Sequence, residues 1–336
     1  MSDAPILIYR LGSLGDTVVA LPCFHAIERA FPGARKIAVT NIPVSAKAAA
    51  LQVILGPGGL IDGAIDYPAG SRSLRRLWDL RRTIRATGAR TLIYLAAPRG
   101  RRSTLRDLLF FRLCGLGTII GVPLAADVQA CRETADGLEP EAERLARAMS
   151  ALGPIDLNDA ANWDLRFTAD ERARAAAALA PLAGRAFLGI NMGGKDASKD
   201  WGDANWQALI DRLAQTYGEL GLVAVGAQDD FDRSGAVLGR WPGPVANLCG
   251  QLSPRESGAA LGRSGGGGAA LFIGHDSGPL HLASAGGTQV LGLFGNFNRP
   301  RQWHPYGARH RVIHEMAGTG AITVDRVVAT VHEMLN

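Results

Sequence analysis

A chain of 336 residues exceeds one ordinary hydrophobic core and has the length of two domains of about 150 residues each. Hydrophobic residues make up 47% and charged residues 20%, which excludes a disordered chain, and no apolar run has the roughly 18 residues that a membrane span needs. The first apolar run, residues 6–9, is too short for a signal peptide. Four scattered cysteines without a C-x-x-C pair fit reduced thiols, so we expect a cytoplasmic protein.

The net charge of +5 is unevenly distributed along the chain. Between Arg72 and Arg112 there are twelve arginines against two acids, Asp79 and Asp107, a local excess of ten that leaves the remainder near −5. A basic surface confined to one segment indicates an anionic partner, which could be a phosphorylated glycolipid, membrane headgroups or nucleic acid. The alternative is a pair of solvated helix faces.

Short apolar runs that predict buried strands alternate with helix-like stretches. The predicted strands are residues 6–9, 36–40, 91–95, 119–122, 187–191, 222–225, 269–273 and 289–294. The predicted helices are residues 17–31, 74–87, 140–152, 204–217, 234–241, 253–263, 280–285 and 324–335. This alternation predicts two doubly wound α/β units with parallel sheets, in which ligands bind beyond the carboxyl ends of the strands. If the two sheets face each other, we expect a site in the cleft between them.

The first candidate site is the turn at residues 10–16, R-L-G-S-L-G-D, which follows the first strand and opens a helix. Gly12 and Gly15 permit close approach of a ligand to backbone N–H groups. The G-x-G-x-x-G spacing of a dinucleotide site is absent, which argues against a nicotinamide dehydrogenase. Asp16 is suited to removing a proton from an acceptor hydroxyl and equally suited to capping the helix.

A second candidate is the turn at residues 191–201, N-M-G-G-K-D-A-S-K-D-W, after the first strand of the second half. Two glycines, two lysines and a hydroxyl group suit it to a diphosphate: Gly193, Gly194, Lys195, Ser198 and Lys199. The residue order of a Walker P-loop is absent, and the alternative is an ordinary basic loop.

The third candidate is the strand–turn–helix at residues 272–282, F-I-G-H-D-S-G-P-L-H-L. Asp276 and Ser277 begin a helix whose partial positive charge favours a phosphate, and we expect His281 to point at the same ligand. His275 and His281 lack H-E-x-x-H spacing, so no zinc site is predicted. A D-x-D at residues 230–232 could hold a metal-bound nucleotide sugar, but acids at a helix start are explained by the dipole alone.

Together the three turns resemble glycosyltransferase family 9, the ADP-heptose:lipopolysaccharide heptosyltransferases. Family members open with a strand and an S-x-G-D-like turn, as in residues 11–16, and carry a lysine and a tryptophan in a later loop, as in residues 198–201. They also carry a D-[TS]-G-x-x-H stretch, as in residues 276–281, followed by a strand like residues 290–295. The match runs over nearly the whole chain.

The resemblance implies a GT-B fold, two facing Rossmann-like doubly wound domains with a central cleft, and inverting transfer without a metal ion or cofactor. It implies that Asp16 is the general base and that Lys199 neutralises the leaving diphosphate of an ADP-linked sugar. Around Lys199, the donor would be bound by Gly193, Gly194, Ser198, Asp276, Ser277, Gly278 and His281. The acceptor would be bound by Gly12, Ser13, Gly15, Arg99, Arg101 and Arg102.

The implied domains are an acceptor-binding domain at residues 1–165, a donor-binding domain at 166–322, and a final helix at 323–336 that packs back on the first domain. The implied partners are a nucleotide-sugar donor and an anionic glycolipid or glycan acceptor, without nucleic acid, at the cytoplasmic face of the inner membrane.

The chain departs from the family pattern at two places. Many relatives have G-P-T-D-P after the last strand, where this chain has G-N-F-N-R-P at residues 295–300, and a glycine-rich insertion stands at 265–268. These departures leave the sugar and the base open within ADP-heptose or a related donor. A sugar-nucleotide epimerase of the same fold and a non-catalytic glycan- or lipid-binding module remain as alternatives.

Overall fold

A computed structural model describes residues 4–42, 49–71, 73–194, 196–263 and 268–336. Arg72, Lys195 and residues 265–267, which the sequence analysis singles out, lie outside the described residues. The chain divides into two compact units, Met1–Arg166 and Phe167–Asn336. Each unit is built around its own parallel sheet.

The first unit contains a five-stranded parallel sheet in the order β3-β2-β1-β4-β5. Its strands are β1 Ile6–Tyr9, β2 Lys36–Thr40, β3 Gly63–Asp66, β4 Thr91–Tyr94 and β5 Thr118–Ile120, followed by a hairpin of β6 Glu133–Thr134 and β7 Gly137–Leu138. Its helices are α1 Leu14–Val19, α2 Leu21–Ala30, α3 Leu51–Leu55, α4 Leu74–Ala86, α5 Arg101–Leu113, α6 Ala126–Gln129 and α7 Glu141–Ala148. Strand β1 is central and fully buried, as expected where helices cover both faces of a parallel sheet.

The second unit contains a six-stranded parallel sheet in the order β10-β9-β8-β11-β12-β13. Its strands are β8 Phe187–Asn191, β9 Gly221–Ala224, β10 Val245–Asn247, β11 Ala269–His275, β12 Val290–Phe294 and β13 Arg311–His314. Its helices are α8 Ala169–Ala178, α9 Asp203–Tyr217, α10 Phe231–Leu238, α11 Pro254–Leu261, α12 Gly278–Ala285 and α13 Val324–Leu335. The sheet separates two layers of buried apolar side chains, one under α9 and α13 and the other under α11 and α12.

The final helix, α13, is part of the core of the second unit. Val327 and Val331 are fully buried in the apolar layer that also contains Leu209 and Leu213 of α9. The family resemblance implies a separate final segment that packs back on the first domain. In the structure this helix is counted with the second unit.

Some elements differ from their prediction for identifiable reasons. The helix predicted at residues 17–31 is two helices, α1 and α2, because the chain turns at Ala20 and Pro22 lies in the first turn of the second helix. Helix α5 is missing from the prediction because Gly100 precedes it and supplies no side-chain cap as a start signal. Strands β3 and β13 lie at sheet edges and are only partly buried, so they lack a continuous apolar run. Among the described residues, no helix has the length and hydropathy to cross a bilayer.

Candidate functional site

In the second unit, the predicted donor-binding turns meet at the point where the strand order reverses. Strands β8 and β11 are neighbours, and the chain leaves them in opposite directions across the sheet, which is where open α/β sheets bind ligands. The Ser277 hydroxyl, just beyond β11, donates a hydrogen bond to Asn191 Oδ1 at the end of β8, at 2.9 Å. Asn191 Nδ2 in turn donates to the Val225 carbonyl beyond β9, at 2.9 Å. Three successive strand ends are thereby tied together.

The Lys199 ammonium is held on the Asp276 carboxylate within this cluster. Lys199 Nζ lies 2.7 Å from Asp276 Oδ2 and 3.2 Å from the Asp276 carbonyl oxygen. Both side chains are largely buried, with exposed fractions of 18% and 11%. Asn298 Nδ2 donates to the same carboxylate oxygen at 2.6 Å, and the Phe297 ring lies 4.0 Å from Nζ. A cation and an anion are thus fixed side by side, able to contact a phosphate and sugar hydroxyls respectively.

His275, at the end of β11, fixes the loop that carries Lys199. Its Nε2 accepts a hydrogen bond from the Trp201 backbone N–H at 3.1 Å, while the ring is also hydrogen-bonded to the Gly193 backbone. Because Nε2 accepts a hydrogen bond, it carries no proton. In a neutral imidazole the proton is then on Nδ1, which donates to the Gly193 backbone. Desolvation lowers the pKa of His275 to about 4, which keeps it neutral near pH 7. The histidine therefore orients backbone and does not supply charge.

Arg233 of α10 holds the other side of the same loop. Its guanidinium donates to both carboxylate oxygens of Asp200, at 2.7 and 2.8 Å, and to the Met192 carbonyl oxygen at 3.2 Å. Burial acts to raise the pKa of Asp200, but the hydrogen bonds from Arg233 and the Gly202 backbone outweigh it and hold that pKa below its ordinary value. The bidentate pair with Asp200 and the bond to Met192 thus fix the loop both before and after Lys199.

The remaining predicted donor residues occupy different environments. Ser198 is exposed, and its hydroxyl donates to Asp196 at 2.7 Å within the loop. Gly194 is exposed, whereas Gly193 is buried against Asp230, whose Oδ2 would lie 2.0 Å from a Cβ at that position. The close approach that Gly193 permits is therefore to Asp230.

The start of α12 has no side-chain cap. Ser277 is the N-cap, but its hydroxyl bonds Asn191 and makes no side-chain cap, and Gly278 is the first helical residue. The N–H groups of this turn keep the partial positive charge of a helix N-terminus, which favours an anion. His281 lies one turn further on and is 4% exposed, with His304 and His310 as its electrostatic neighbours. The structure thus buries the histidine that we expect to contact ligand.

Residues 295–300, which depart from the family pattern, contribute to this cluster although no site residue is predicted among them. This loop supplies Asn298 to the Asp276 carboxylate and Phe297 to the Lys199 ammonium. His314 Nε2 donates to the Asn298 carbonyl oxygen at 3.1 Å and so fixes the loop from β13. The departure itself was the available signal, because an asparagine and an aromatic ring that follow a central strand are positioned for a ligand.

In the first unit, Asp16 belongs to the hydrogen-bonded turn that starts α1. Its Oδ2 accepts from the Ser13 backbone N–H at 2.7 Å and from the Ser13 hydroxyl at 3.0 Å, the carboxylate half of a capping box. Both hydrogen bonds that the described residues make to this carboxylate reach Oδ2, which leaves Oδ1 for a ligand. Asp16 therefore caps the helix and presents an oxygen at the end of β1.

Gly12 is required by this arrangement for two reasons. Its φ is +133°, which favours glycine, and a Cβ there would lie 2.5 Å from the Asp16 Cβ. Its N–H donates to Asn41 Oδ1 at 3.1 Å, which joins the turn to the end of β2. Gly15 is the second residue of α1 and has no such role in the turn.

Arg10 ties the Asp16 turn to the neighbouring strand. The guanidinium is 1% exposed and donates to the Leu95 carbonyl oxygen at 2.8 Å and to the Asp16 carbonyl oxygen. Burial lowers the pKa of Arg10, and the nearby Asp16 opposes that shift. The chain leaves the neighbouring strands β1 and β4 towards opposite edges of the sheet, so the strand order reverses between them. The buried Arg10 side chain thus fixes the Asp16 turn at this reversal point.

The three arginines predicted to bind acceptor are not equivalent. Arg99 donates to the Tyr9 hydroxyl at 2.7 Å and to the buried Asp107 carboxylate at 2.6 Å, so it is held by the core. Arg101 and Arg102 begin α5 and are exposed. Arg99 is exposed as well, but its charge is already paired with Asp107.

The acidic stretch at residues 229–232 precedes and begins α10. Asp230 accepts from the Ala227 N–H at 2.9 Å, as the helix-start interpretation predicts. Across the described ranges, no group of three or more His, Cys, Asp or Glu side chains has an arrangement that could hold a metal ion.

The depressed pKa of His275 predicts a pH dependence of stability. Because this pKa is about 4 in the folded protein and 6.5 for an ordinary histidine, the unfolded chain binds more protons between those values. The contribution is complete above pH 6.5 and is lost as pH falls towards 4, roughly 3 kcal/mol in total. His275→Gln, which cannot titrate, should flatten the fall in unfolding free energy across this window, measured by urea unfolding. Parallel curves for the two proteins would contradict the assignment.

Gly12→Ala should destabilise the first unit more than a matched glycine does. Gly33 also has a positive φ, +74°, but no atom lies within 4 Å of a Cβ there. Gly33→Ala should therefore cost only backbone strain, about 1 kcal/mol, whereas Gly12→Ala should also displace Asp16 and cost roughly 2–4 kcal/mol. Equal losses in thermal or urea unfolding would show that Gly12 is unimportant to the Asp16 turn.

Comparisons with known proteins agree with this architecture. The profile of glycosyltransferase family 9 (heptosyltransferase) matches residues 130–325, more than half of the chain. Lipopolysaccharide heptosyltransferase 3 of Escherichia coli is 32% identical over 113 residues, 33% of this chain, so the match spans about a third of that protein's length (32%).

Two solved structures share the fold over nearly their whole length. A glycosyl transferase family 9 structure from Veillonella parvula DSM 2008 has a TM-score of 0.74 at 18% identity, covering 100% of this chain and 98% of its own. E. coli heptosyltransferase WaaC with ADP-2-deoxy-2-fluoro heptose has a TM-score of 0.65 at 16% identity, covering 98% and 99%. The predicted GT-B fold class is confirmed. The chain belongs to glycosyltransferase family 9, the heptosyltransferases, and the prediction of a glycosyltransferase is confirmed at the level of the family.

Proposed function

We propose that this protein is an inverting, metal-independent glycosyltransferase of lipopolysaccharide biosynthesis. It moves a heptose or related sugar from an ADP-sugar to a lipopolysaccharide core or another glycan- or lipid-linked acceptor. The observation that carries the proposal is the Lys199–Asp276 pair, 2.7 Å apart beside the uncapped start of α12. It offers a fixed cation and helix N–H groups to a diphosphate, and a carboxylate to sugar hydroxyls.

The donor would be bound by residues that the second unit already holds in place. Lys199 and the N–H groups at Ser277 and Gly278 face the negative charge that grows on ADP as it leaves. Because these groups are preorganised by His275 and Arg233, they need no rearrangement during the reaction. The ADP moiety is supported by the family and by the ligand named with the E. coli WaaC structure.

Asp16 is assigned the general base in the first unit. Its carboxylate would accept the proton of the acceptor hydroxyl as the oxygen bonds to the anomeric carbon, on the face opposite the diphosphate. The bond from the anomeric carbon to the phosphate oxygen breaks, and its electron pair leaves with ADP. Both capping hydrogen bonds reach Oδ2, so Oδ1 is the oxygen suited to accepting the proton.

The acceptor is proposed to be an anionic glycolipid at the cytoplasmic face of the inner membrane. Arg101 and Arg102, exposed at the start of α5, suit phosphate or carboxylate groups of such a molecule. Arg99, held by Asp107 and Tyr9, would position this segment, and the turn of Gly12, Ser13 and Gly15 would approach the reacting hydroxyl.

Product analysis separates this function from the two alternatives. A sugar-nucleotide epimerase would convert the nucleotide sugar without an acceptor, and a non-catalytic glycan-binding module would bind it without turnover. Formation of ADP together with a glycosylated acceptor in the presence of EDTA is the expected result. Acceptor-independent isomerisation of the donor would contradict the proposal.

Asp16→Asn should abolish transfer while it leaves donor binding intact. The amide keeps the shape and can still accept from Ser13, but it cannot take a proton. We expect the transfer rate constant to fall by about 10²–10⁴ and the dissociation constant for ADP to change by less than about twofold. Full turnover in this variant would rule out Asp16 as the base.

Lys199→Met should show the opposite behaviour and weaken donor binding. Loss of a charge-assisted hydrogen bond of about 1.5–3 kcal/mol predicts a rise of roughly 10- to 150-fold in the dissociation constant for ADP, measured by calorimetry. The control is Arg174→Met, which removes a cation paired with Glu256 at 3.0 Å and 73% exposed. Unchanged ADP affinity in Lys199→Met, or an equal loss in the control, would refute the role of Lys199.

A further inference from the structure

Helices α4 and α5 lie side by side on the same face of the first sheet. Leu80 and Ile84 of α4 and Phe111 of α5 are buried in one apolar layer with side chains of β1, β2 and β4. The Arg81 guanidinium donates to the Leu113 carbonyl oxygen at 2.9 Å and joins the two helices directly. The outward sides of the two helices on this side of the sheet are here called the α4–α5 face.

Large apolar side chains stand exposed on this face. In the described part of the chain nine large hydrophobic side chains are exposed, and five of them belong to these two helices, with exposed fractions of 56–83%: Leu74, Trp78, Leu105, Leu109 and Leu113. The three leucines of α5 follow each other at four-residue spacing and form one row, and Leu74 and Trp78 have the same spacing on α4. An isolated exposed leucine needs no explanation, but two neighbouring apolar rows do.

The same face carries a strong positive charge. Nine arginines belong to the two helices: Arg75, Arg76, Arg81, Arg82, Arg85, Arg101, Arg102, Arg106 and Arg112. Of the two acids on these helices, Asp107 is buried and paired with Arg99 and Arg106, and Asp79 is exposed 3.6 Å from Arg82. The arginines flank the leucine row and continue the Leu74–Trp78 row at Arg81 and Arg85.

We infer that the α4–α5 face docks the protein on a bilayer that contains anionic phospholipids. Leucine and tryptophan side chains between arginines are suited to the boundary where acyl chains meet charged headgroups, because the rings and methyl groups enter and the guanidinium groups bind phosphate. Charge complementarity selects this occupant over a second copy of the chain, since two such faces would bring many arginines together.

This inference deepens the membrane-borne acceptor of the proposed function and depends on that function only for its biological use. Docking would bring an enzyme without a predicted membrane span to a lipid-linked acceptor. Vesicle binding requires neither donor nor turnover. Its failure would leave the donor site untouched, and failure of ADP binding would leave the docking face untouched.

The test is cosedimentation of the full chain with phosphatidylcholine vesicles that contain or lack phosphatidylglycerol. Wild-type protein should bind only the anionic vesicles and should be released by salt. Leu105→Gln/Leu109→Gln should lower the partition coefficient at least about tenfold, because the apolar row is lost while helix propensity is kept. Arg82→Gln/Arg85→Gln should lower it about 10- to 25-fold, because each basic residue near an anionic surface contributes about fivefold.

Matched variants outside the face serve as controls. Val53→Gln/Met316→Gln changes two other exposed apolar residues, and Arg35→Gln/Arg309→Gln changes two other exposed arginines. Both should bind vesicles like the wild type, and circular dichroism of all variants should match that of the wild type. The emission of Trp78, identified as the difference between the spectra of the wild type and Trp78→Phe, should shift to shorter wavelength when vesicles are added. Equal binding by face and control variants would overturn the inference. So would a change from dimer to monomer in Leu105→Gln/Leu109→Gln without vesicle binding.

Discussion

The candidate donor site depends on the ion pair between Lys199 and Asp276, and the neighbouring loops and strand ends hold the two side chains together. Lys199 reaches Asp276 only because the loop after β8 is fixed against the end of β11 by His275 and Trp201. Asp200 and Arg233 fix the same loop from α10. The parallel sheet brings β8 and β11 together at its reversal point, so the backbone hydrogen bonds of the sheet ultimately determine where the cation lies.

The first unit solves a different problem with a similar layout. Asp16 must keep one oxygen available while its helix is capped, and the turn achieves both by directing the Ser13 hydrogen bonds to Oδ2. Gly12 provides the space and the backbone conformation, and the buried Arg10 fixes the turn to the end of β4. On one face of the same sheet, α4 and α5 expose large apolar side chains between arginines, and packing of the hydrophobic core does not require these exposed side chains. One small unit can thus hold both a candidate base and a candidate membrane contact.

Much of this was predictable from sequence because the central strands carry unambiguous patterns. Strands β1, β2 and β8 have their predicted bounds, since each is a short, fully buried and largely apolar run between turns. The three turns are recognisable because glycines and charged residues follow strands β1, β8 and β11. Long-range partners were not predictable: no local pattern shows that Asn298 donates to Asp276 or that Arg99 is held by Asp107. The burial of His281 likewise depends on packing against residues far along the chain. Helix α5 has no side-chain cap, so the sequence gives no clear signal for its start.

Calorimetric titration of the full chain with ADP, UDP, GDP, CDP and NAD, each in EDTA and in magnesium, would test whether the Lys199–Asp276 cluster binds the diphosphate of an adenine nucleotide without a metal. We expect ADP to bind with one affinity in both conditions and the other nucleotides to bind more weakly. Binding that requires magnesium, or that favours UDP, GDP or NAD over ADP, would contradict this expectation.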